Sequence, residues 1–161
     1  MSRADICIRQ ATSADGPELL ELIRIAMAVY ARNSEISTLL DSQKETLDEL
    51  LDHMRSDHVL VAEHRGRLVG TVRLILRGNG EAYFSRFAVL PALQQSGVGK
   101  LLYQAAEDWL RLNGVQTIKL HTALTNMPLV AFYRSRGFEL QETKTARGYP
   151  RGLFVKKFPG G

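Results

Sequence analysis

Apolar residues recur along the chain with two different spacings, and each change of spacing predicts a change of secondary structure. Runs with apolar residues at every second position predict strands at 6–9, 58–63, 68–76, 82–89, 117–122, 138–144 and 153–158. Stripes with a spacing of three or four residues predict helices around 19–30, 47–54, 101–112 and 129–136. Ser42 and Glu45 have the spacing of a capping box for the second helix. The predicted order is β-α-α-β-β-β-α-β-α-β-β.

The fourth predicted strand is apolar on both faces. If it alternates without interruption, one face carries Tyr83, Phe87 and Val89 and the other carries Ala82, Phe84 and Ala88. A strand of this kind is covered on both sides. Pro91 prevents its continuation, and a long helix follows. Because that helix connects it to the strand at 117–122, the two strands are predicted to be parallel neighbours.

A loop with two glycines, Gly97 and Gly99, joins the fourth strand to the long helix. The first N–H groups of a helix have no partner within it, and glycines leave them uncovered by side chains. Such a helix start binds anions, and phosphate is the most common of them. The loop therefore predicts a phosphate site, although a plain glycine-rich turn has the same composition.

Three phosphate-binding patterns can be compared with this loop. A Walker loop needs glycine and Ser or Thr where this chain has Gln94 and Leu101, and the dinucleotide pattern needs a third glycine. The pattern Gln/Arg-x-x-Gly-x-Gly/Ala is matched in full by the segment from Gln94 to Gly99. In this the chain resembles the GCN5-related N-acetyltransferase (GNAT) superfamily, whose members bind acetyl-CoA with such a loop.

A second segment also resembles that superfamily. Asn126, Ala131-Phe132-Tyr133 and Arg136-Gly137-Phe138 follow its Asn…Ala-x-x-x-Tyr…Gly-Phe pattern, with Tyr133 closer to Ala131 than in many members. The resemblance covers nearly the whole chain and implies an α/β (α+β) fold in one domain, 1–161, with a core of about 5–158. It implies a mixed, mostly antiparallel sheet of about seven strands flanked by four helices, with strands four and five parallel and splayed apart.

Composition is consistent with this interpretation and narrows the function classes. The 161 residues are 45% hydrophobic and 24% charged, as in an ordinary globular domain, and no apolar run is long enough for a membrane span. The net charge of +4 favours an anionic ligand, but the basic residues are too scattered for nucleic acid. The four histidines have no metal-ligand spacing. Cys7 is predicted to be a buried thiol, and the expected location is the cytoplasm.

The resemblance implies a binding site for acetyl-CoA. The loop would hold the pyrophosphate, and the fourth strand would hold the pantetheine arm, with the Val89 N–H polarising the thioester oxygen. The residues expected to bind the cofactor are Phe87, Ala88, Val89, Gln94, Gln95, Ser96, Gly97, Val98, Gly99, Lys100, Asn126, Phe132 and Tyr133.

The resemblance also proposes catalytic groups. Tyr133 is the candidate general acid for the departing thiolate, and its alternative role is a core aromatic residue. Asn126 is also a helix cap. The general base is open: Glu81 through a water molecule, His121, or water relays, with Glu81 otherwise an exposed charge.

The acceptor is expected to contact two loops, 30–40 and 143–152. Candidate substrate contacts are Tyr30, Glu35, Tyr83 and His121. The predicted function is transfer of an acetyl group to a primary amine of a small molecule or peptide by direct attack on the thioester, in a monomer or homodimer without nucleic-acid or membrane partners. The alternative is a non-catalytic module of the same fold that senses acyl-CoA.

Overall fold

A computed structural model describes residues 5–36, 40–94 and 96–159. Its strands are β1 (Ile6–Gln10), β2 (His58–His64), β3 (Arg67–Gly78), β4 (Glu81–Val89), β5 (Thr117–Ala123), β6 (Glu139–Lys144) and β7 (Arg151–Lys157). The α-helices in these ranges are α1 (Gly16–Asn33), α2 (Asp41–Lys44), α3 (Leu47–Ser56), α4 (Val98–Leu112) and α5 (Met127–Ser135). None of them is long and apolar enough to cross a membrane.

The seven strands form a single sheet in the order β1-β2-β3-β4-β5-β7-β6. The pair β4–β5 is parallel, and the other neighbouring pairs are antiparallel. Strands β4 and β5 pair only from Glu81–Thr117 to Tyr83–Lys119 and separate beyond that point. The predicted mixed sheet with splayed fourth and fifth strands is therefore confirmed.

Apolar side chains cover both faces of the sheet. On one face, Leu19, Ile23 and Leu50 from α1 and α3 pack against Val59 and Val61 of β2. On the other face, residues of α4 and α5 pack against β3, β4 and β5 in a larger core with several aromatic rings. The stripes that predicted the helices are the surfaces buried here, and this burial is the main source of the fold's stability.

A β-bulge interrupts β4. Thr71 pairs with Ala88 and Arg73 pairs with Ser85, so β4 carries one residue more than β3 between these pairs. Within the extra stretch, Arg86 has φ 52, in the left-handed region. A side chain other than glycine in such a conformation costs roughly 1–3 kcal/mol, which the surrounding structure must offset.

The bulge makes the predicted alternation of β4 wrong. Phe87 and Val89 lie on the same face as Ala82 and Phe84, towards α4, whereas Ala88 packs with the α1 side. The physical reason is the period of two in a strand: one extra residue moves every later side chain to the other face.

Two details near the N-terminal helices differ from the sequence prediction. The second predicted helix is preceded by the short α2, so there are five α-helices in the described residues rather than four. Its capping box is Thr46 with Glu49, not Ser42 with Glu45. Glu45 is buried and accepts a hydrogen bond of 2.9 Å from Arg73.

The Cys7 thiol is exposed, against the prediction of a buried thiol. Strand β1 lies at the edge of the sheet, and Ile6 and Ile8 face the core. Cys7, between them, projects from the opposite face, which is not covered at this point.

Candidate active site

An open groove of about 890 Å³ runs between the end of β4, the start of α4, and the helices α1 and α5. The splay of β4 from β5 leaves the space for it. The lining residues that the sequence had predicted as cofactor contacts are Phe87, Ala88, Val89, Gln94, Ser96, Gly97, Gly99, Lys100, Asn126 and Phe132. Val98 does not line the groove, because its side chain is buried, and Gln95 lies outside the described residues.

Backbone N–H groups converge at the start of α4. Gly97, in the left-handed conformation (φ 98), precedes the helix, and the first helical hydrogen bond is from Leu101 N to Gly97 O at 3.1 Å. The N–H groups of Val98, Gly99 and Lys100 therefore have no acceptor within the helix. Free N–H groups of this kind, together with the helix dipole, favour an anion at this end of the groove.

The side chains of the loop bind back onto the loop itself. The Ser96 hydroxyl donates to the Leu93 carbonyl, and Gln94 Nε2 donates to the Val89 carbonyl at 3.4 Å. A β-carbon at Gly99 would lie 3.6 Å from Phe87 Cζ, an ordinary contact, so packing against the protein does not require glycine there. The missing side chain instead keeps the groove open beside the free N–H groups.

The open edge of β4 offers further backbone groups. Leu90 N donates to Val69 O at 2.9 Å, towards β3. Successive N–H groups of a strand point to opposite edges, so the Val89 N–H points away from β3, to the side where β5 has separated. An extended ligand in the groove can therefore hydrogen-bond to this edge as an added strand would.

A smaller cavity of about 140 Å³ adjoins the groove. Both are lined by Met27, Tyr30, Phe87 and Leu129, so they meet at the splay. The volume is close to the roughly 150 Å³ of an engineered cavity that binds benzene. The smaller cavity can therefore accommodate a group about the size of a benzene ring.

Tyr133 lines this smaller cavity and is 4% exposed. Its ring packs edge-on against Phe84, Phe132 and Phe138, with centroids 5.7–6.1 Å away. Burial raises the pKa of the Tyr133 phenol well above its ordinary value, and no hydrogen bond from a described residue offsets this. Tyr133 therefore keeps its proton at neutral pH.

Two predicted site residues also connect the elements around the groove by hydrogen bonds. The Tyr30 hydroxyl accepts a hydrogen bond from Ala123 N at 2.8 Å and so ties α1 to the end of β5. Asn126 caps α5 by accepting from Leu129 N at 3.3 Å, as predicted, and its Nδ2 donates to Ser34 Oγ at 3.2 Å. Both residues line the groove and also fix the elements around it.

Tyr83 and His121 meet across the splay. Their contact joins the Tyr83 hydroxyl and His121 Nδ1 at 2.6 Å, and both side chains line the smaller cavity. Burial raises the pKa of Tyr83. The pKa of His121 is lowered, first by burial and then by Arg151, Lys144 and Arg147. At neutral pH the pair is a protonated phenol beside a neutral imidazole, which can accept a proton.

The two predicted carboxylates lie elsewhere. Glu81 begins β4, where it forms an ion pair of 2.8 Å with Lys119, and it lines neither the groove nor the smaller cavity. Glu35 follows α1 with φ 60, is exposed, and also lines neither space.

Sequence reasoning missed the most charged part of the smaller cavity. Three arginines line it: Arg86, Arg147 and Arg151. The last two flank a Gly-Tyr-Pro turn within the segment 143–152 that was predicted to contact the acceptor. Arg86 carried no signal, because an arginine in an apolar strand does not reveal a bulge.

Comparisons with known proteins identify the family. The model of the acetyltransferase (GNAT) family matches residues 22–138. The chain belongs to this family, as its loop and helix motifs predicted.

Individual relatives are distant. A mycothiol acetyltransferase of Renibacterium salmoninarum is 35% identical over 71 residues, which are 44% of this chain and 20% of that protein. The uncharacterised protein YyaT of Bacillus subtilis is 26% identical over 92% of this chain and 93% of its own length.

Solved structures support the fold. The PaiA N-acetyltransferase of Thermoplasma acidophilum, in complex with coenzyme A, superposes with a TM-score of 0.83 at 21% identity, over 98% of this chain and 100% of that one. The ribosomal-protein-S18-alanine N-acetyltransferase of Escherichia coli reaches 0.76 at 18% identity, over 94% and 93%.

The family assignment carries acetyl-CoA with it as the cofactor. The geometry of the groove is also suited to such a ligand. Free N–H groups at the start of α4 suit the charged pyrophosphate, the gap at Gly99 leaves it room, and the open edge of β4 suits the amides of the pantetheine arm.

Proposed function

We propose that this chain is an acetyl-CoA-dependent N-acetyltransferase that acts on a primary amine of a small molecule. The observation that carries the proposal is the junction of two spaces. A groove with an anion-binding helix start opens, at the splay, into a cavity with titratable side chains. A long cofactor in the groove would end where a second molecule can reach it.

The groove residues bind and orient the cofactor. The N–H groups of Val98, Gly99 and Lys100 would hold the pyrophosphate, and the open edge at Phe87 and Val89 would hold the arm. When bound, acetyl-CoA supplies an acetyl group activated as a thioester. The Val89 N–H faces the side of β4 on which that group would lie, so it can polarise the carbonyl oxygen.

Side chains of the smaller cavity would transfer the protons that the reaction requires. The acceptor amine must lose a proton to act as a nucleophile, and the Tyr83 hydroxyl can take it while passing its own proton to Nδ1 of His121. This arrangement favours His121 over Glu81 as the base, because Glu81 is paired with Lys119 outside the cavity. Tyr133, buried and protonated, is the group that would donate a proton to the leaving sulfur.

The sensor alternative is less well supported. A module that only detects acyl-CoA needs the groove, but it has no use for a hydrogen-bonded tyrosine and histidine in an adjoining cavity. The enzyme uses both spaces.

The experiment has two measurements. Thermal unfolding with and without acetyl-CoA tests the groove, and a ligand at a hundred times its dissociation constant should add about 2.7 kcal/mol of stability. Thiol release from acetyl-CoA in the presence of varied amines tests the reaction. Stabilisation without release for any amine would favour the sensor, and an absence of stabilisation would contradict the cofactor assignment.

A further inference from the structure

The smaller cavity is strongly cationic. Of the charged side chains that line it, Arg86, Arg147 and Arg151 are positive and only Asp41, among the described residues, is negative. We infer that the acceptor carries a carboxylate beside its amine, as an amino acid does, and that these three arginines bind the carboxylate. This inference rests on the proposed function and names the substrate class of the same site.

Arg86 gives the first support. Its backbone is held in the left-handed conformation by the bulge in β4, and its side chain enters the cavity. The Nε atom is buried, and no described residue accepts a hydrogen bond from it. Because Nε is enclosed by protein, a carboxylate in the cavity would bind the terminal amino groups of the Arg86 guanidinium, since the side chain is 24% exposed.

The nearest buried carboxylate is already occupied. Glu45 Oε2 lies 2.9 Å from Arg73 Nη2 and 3.9 Å from Arg86 Nε. Glu45 therefore orients Arg86 but does not satisfy it, since its short hydrogen bond is with Arg73. The charge of Arg86 remains available to a ligand.

Arg147 and Arg151 give the second support. Arg147 forms a loose, exposed pair of 3.4 Å with Asp41, and such surface pairs contribute little. No carboxylate of the described residues lies within 4.0 Å of the Arg151 guanidinium. Both arginines lower the pKa values of the neighbouring Tyr83 and His121, so their field reaches the proton-handling pair.

The same field selects the form of the acceptor. Cationic surroundings disfavour an ammonium group, so they lower the pKa of the amine and supply its neutral, nucleophilic form. A polyamine, with several positive charges and no negative one, would be repelled. A carboxylate on the acceptor offsets the repulsion and holds the molecule against the three arginines.

Matched acceptors test the inference. Thiol release from acetyl-CoA is measured with each L-amino acid, with the corresponding amino-acid amides, and with spermidine. The best amino acid should have a kcat/KM at least about tenfold above its amide, since a charge-assisted hydrogen bond contributes about 1.5–3 kcal/mol. Amides or spermidine that work equally well or better would overturn the inference and leave the proposed function intact.

Arginine variants locate the effect. Arg151→Gln should raise KM for the amino acid about 10- to 100-fold with a smaller change for its amide, and Arg151→Lys should recover part of the loss. Arg67→Gln, in an exposed position at the start of β3, removes the same charge from a residue that does not line the cavity and should behave as the wild type. Equal losses for amino acid and amide in Arg151→Gln would contradict carboxylate binding.

A binding measurement covers the case in which no amine is acetylated. Calorimetric titration of the CoA-loaded protein with N-acetyl-L-amino acids, the products of the proposed reaction, should give binding that Arg151→Gln weakens. Binding without turnover would refute the enzyme while keeping the anion site. Absence of both turnover and binding, with CoA still bound, would overturn the inference.

Discussion

The groove and the smaller cavity lie side by side but are built in different ways. One wall of the groove is a continuous stretch that runs from β4 through the loop into α4, and its backbone N–H groups are the ones proposed to bind the ligand. The other wall consists of side chains from α1 and α5. The cavity presents side chains from segments far apart in the chain, among them Arg86, His121 and Arg151. Backbone groups suit a ligand shared by a whole family, whereas side chains suit an acceptor particular to one member.

Substitution at Gly99 is expected to have the largest effect, and it affects the groove but not the smaller cavity. Gly99→Glu should abolish binding of CoA, because a carboxylate would lie beside the free N–H groups and repel the pyrophosphate. Gly99→Ala is the matched control: its β-carbon would meet Phe87 Cζ at an ordinary 3.6 Å, so it should fold and keep much of the affinity. Gly97 is less suitable, since its φ of 98 makes any side chain strained.

Calorimetric titration with CoA measures the affinity of both variants, and circular dichroism checks that both are folded. If Gly99→Glu bound CoA as the wild type does, the phosphates would have to lie elsewhere. If Gly99→Ala lost affinity to the same extent, the effect would be one of space and not of charge.

The groove could be predicted from the sequence because its cause is local. A strand stopped by Pro91, glycines at 97 and 99, and a long apolar stripe define a strand, a loop and a helix start, whatever the rest of the chain does. The parallel pairing of β4 and β5 could also be predicted, because a helix connects the two strands, whereas their splay was expected only from the family resemblance.

The cavity could not be predicted in the same way because its causes are tertiary. A bulge arises from the register of β4 against β3, and an apolar alternation does not reveal where one residue will be left over. Glu45 resembled a capping residue until the fold brought it to Arg73. Arg147 and Arg151 lie in the segment that was predicted to contact the acceptor, and they line the cavity, but their joint orientation depends on how β7 begins.

The next-largest expected effect concerns Tyr133 and the place where the groove meets the smaller cavity. Tyr133→Phe keeps the ring that packs on Phe84 and Phe138 and removes only the proton donor. If Tyr133 protonates the leaving sulfur, kcat should fall about 10²- to 10⁴-fold while the affinity for CoA changes little. Steady-state kinetics with a confirmed acceptor and a separate titration with CoA measure the two quantities.

Tyr103→Phe is the matched control for Tyr133→Phe. Tyr103 is a buried tyrosine of the same aromatic cluster, but it lines neither space, and its hydroxyl donates to Glu107 at 2.9 Å. Its removal should cost about 1 kcal/mol of stability and leave kcat nearly unchanged. A Tyr133→Phe enzyme that kept more than half of the wild-type kcat would return Tyr133 to a packing role.

The smallest expected effect is at His121 and depends on pH. A proton acceptor must be neutral, and the lowered pKa of His121 keeps it neutral down to a pH below its ordinary value of 6.5. As the pH falls through that lowered pKa, the imidazole gains a proton and kcat should decrease. His121→Asn keeps a hydrogen-bonding group near the position of Nδ1 but cannot titrate. It should lower kcat at neutral pH only about tenfold, since water can replace the base, and should remove the decrease at low pH.

His58→Asn is the control: His58 also has a pKa lowered by burial, but it stacks on Trp109 at 3.8 Å and lines neither space. The measurement is the pH profile of kcat for the three proteins with an acceptor of known amine pKa. A decrease at low pH that persisted in His121→Asn would belong to another group, and the side chains of the cavity would then bind the acceptor without taking its proton.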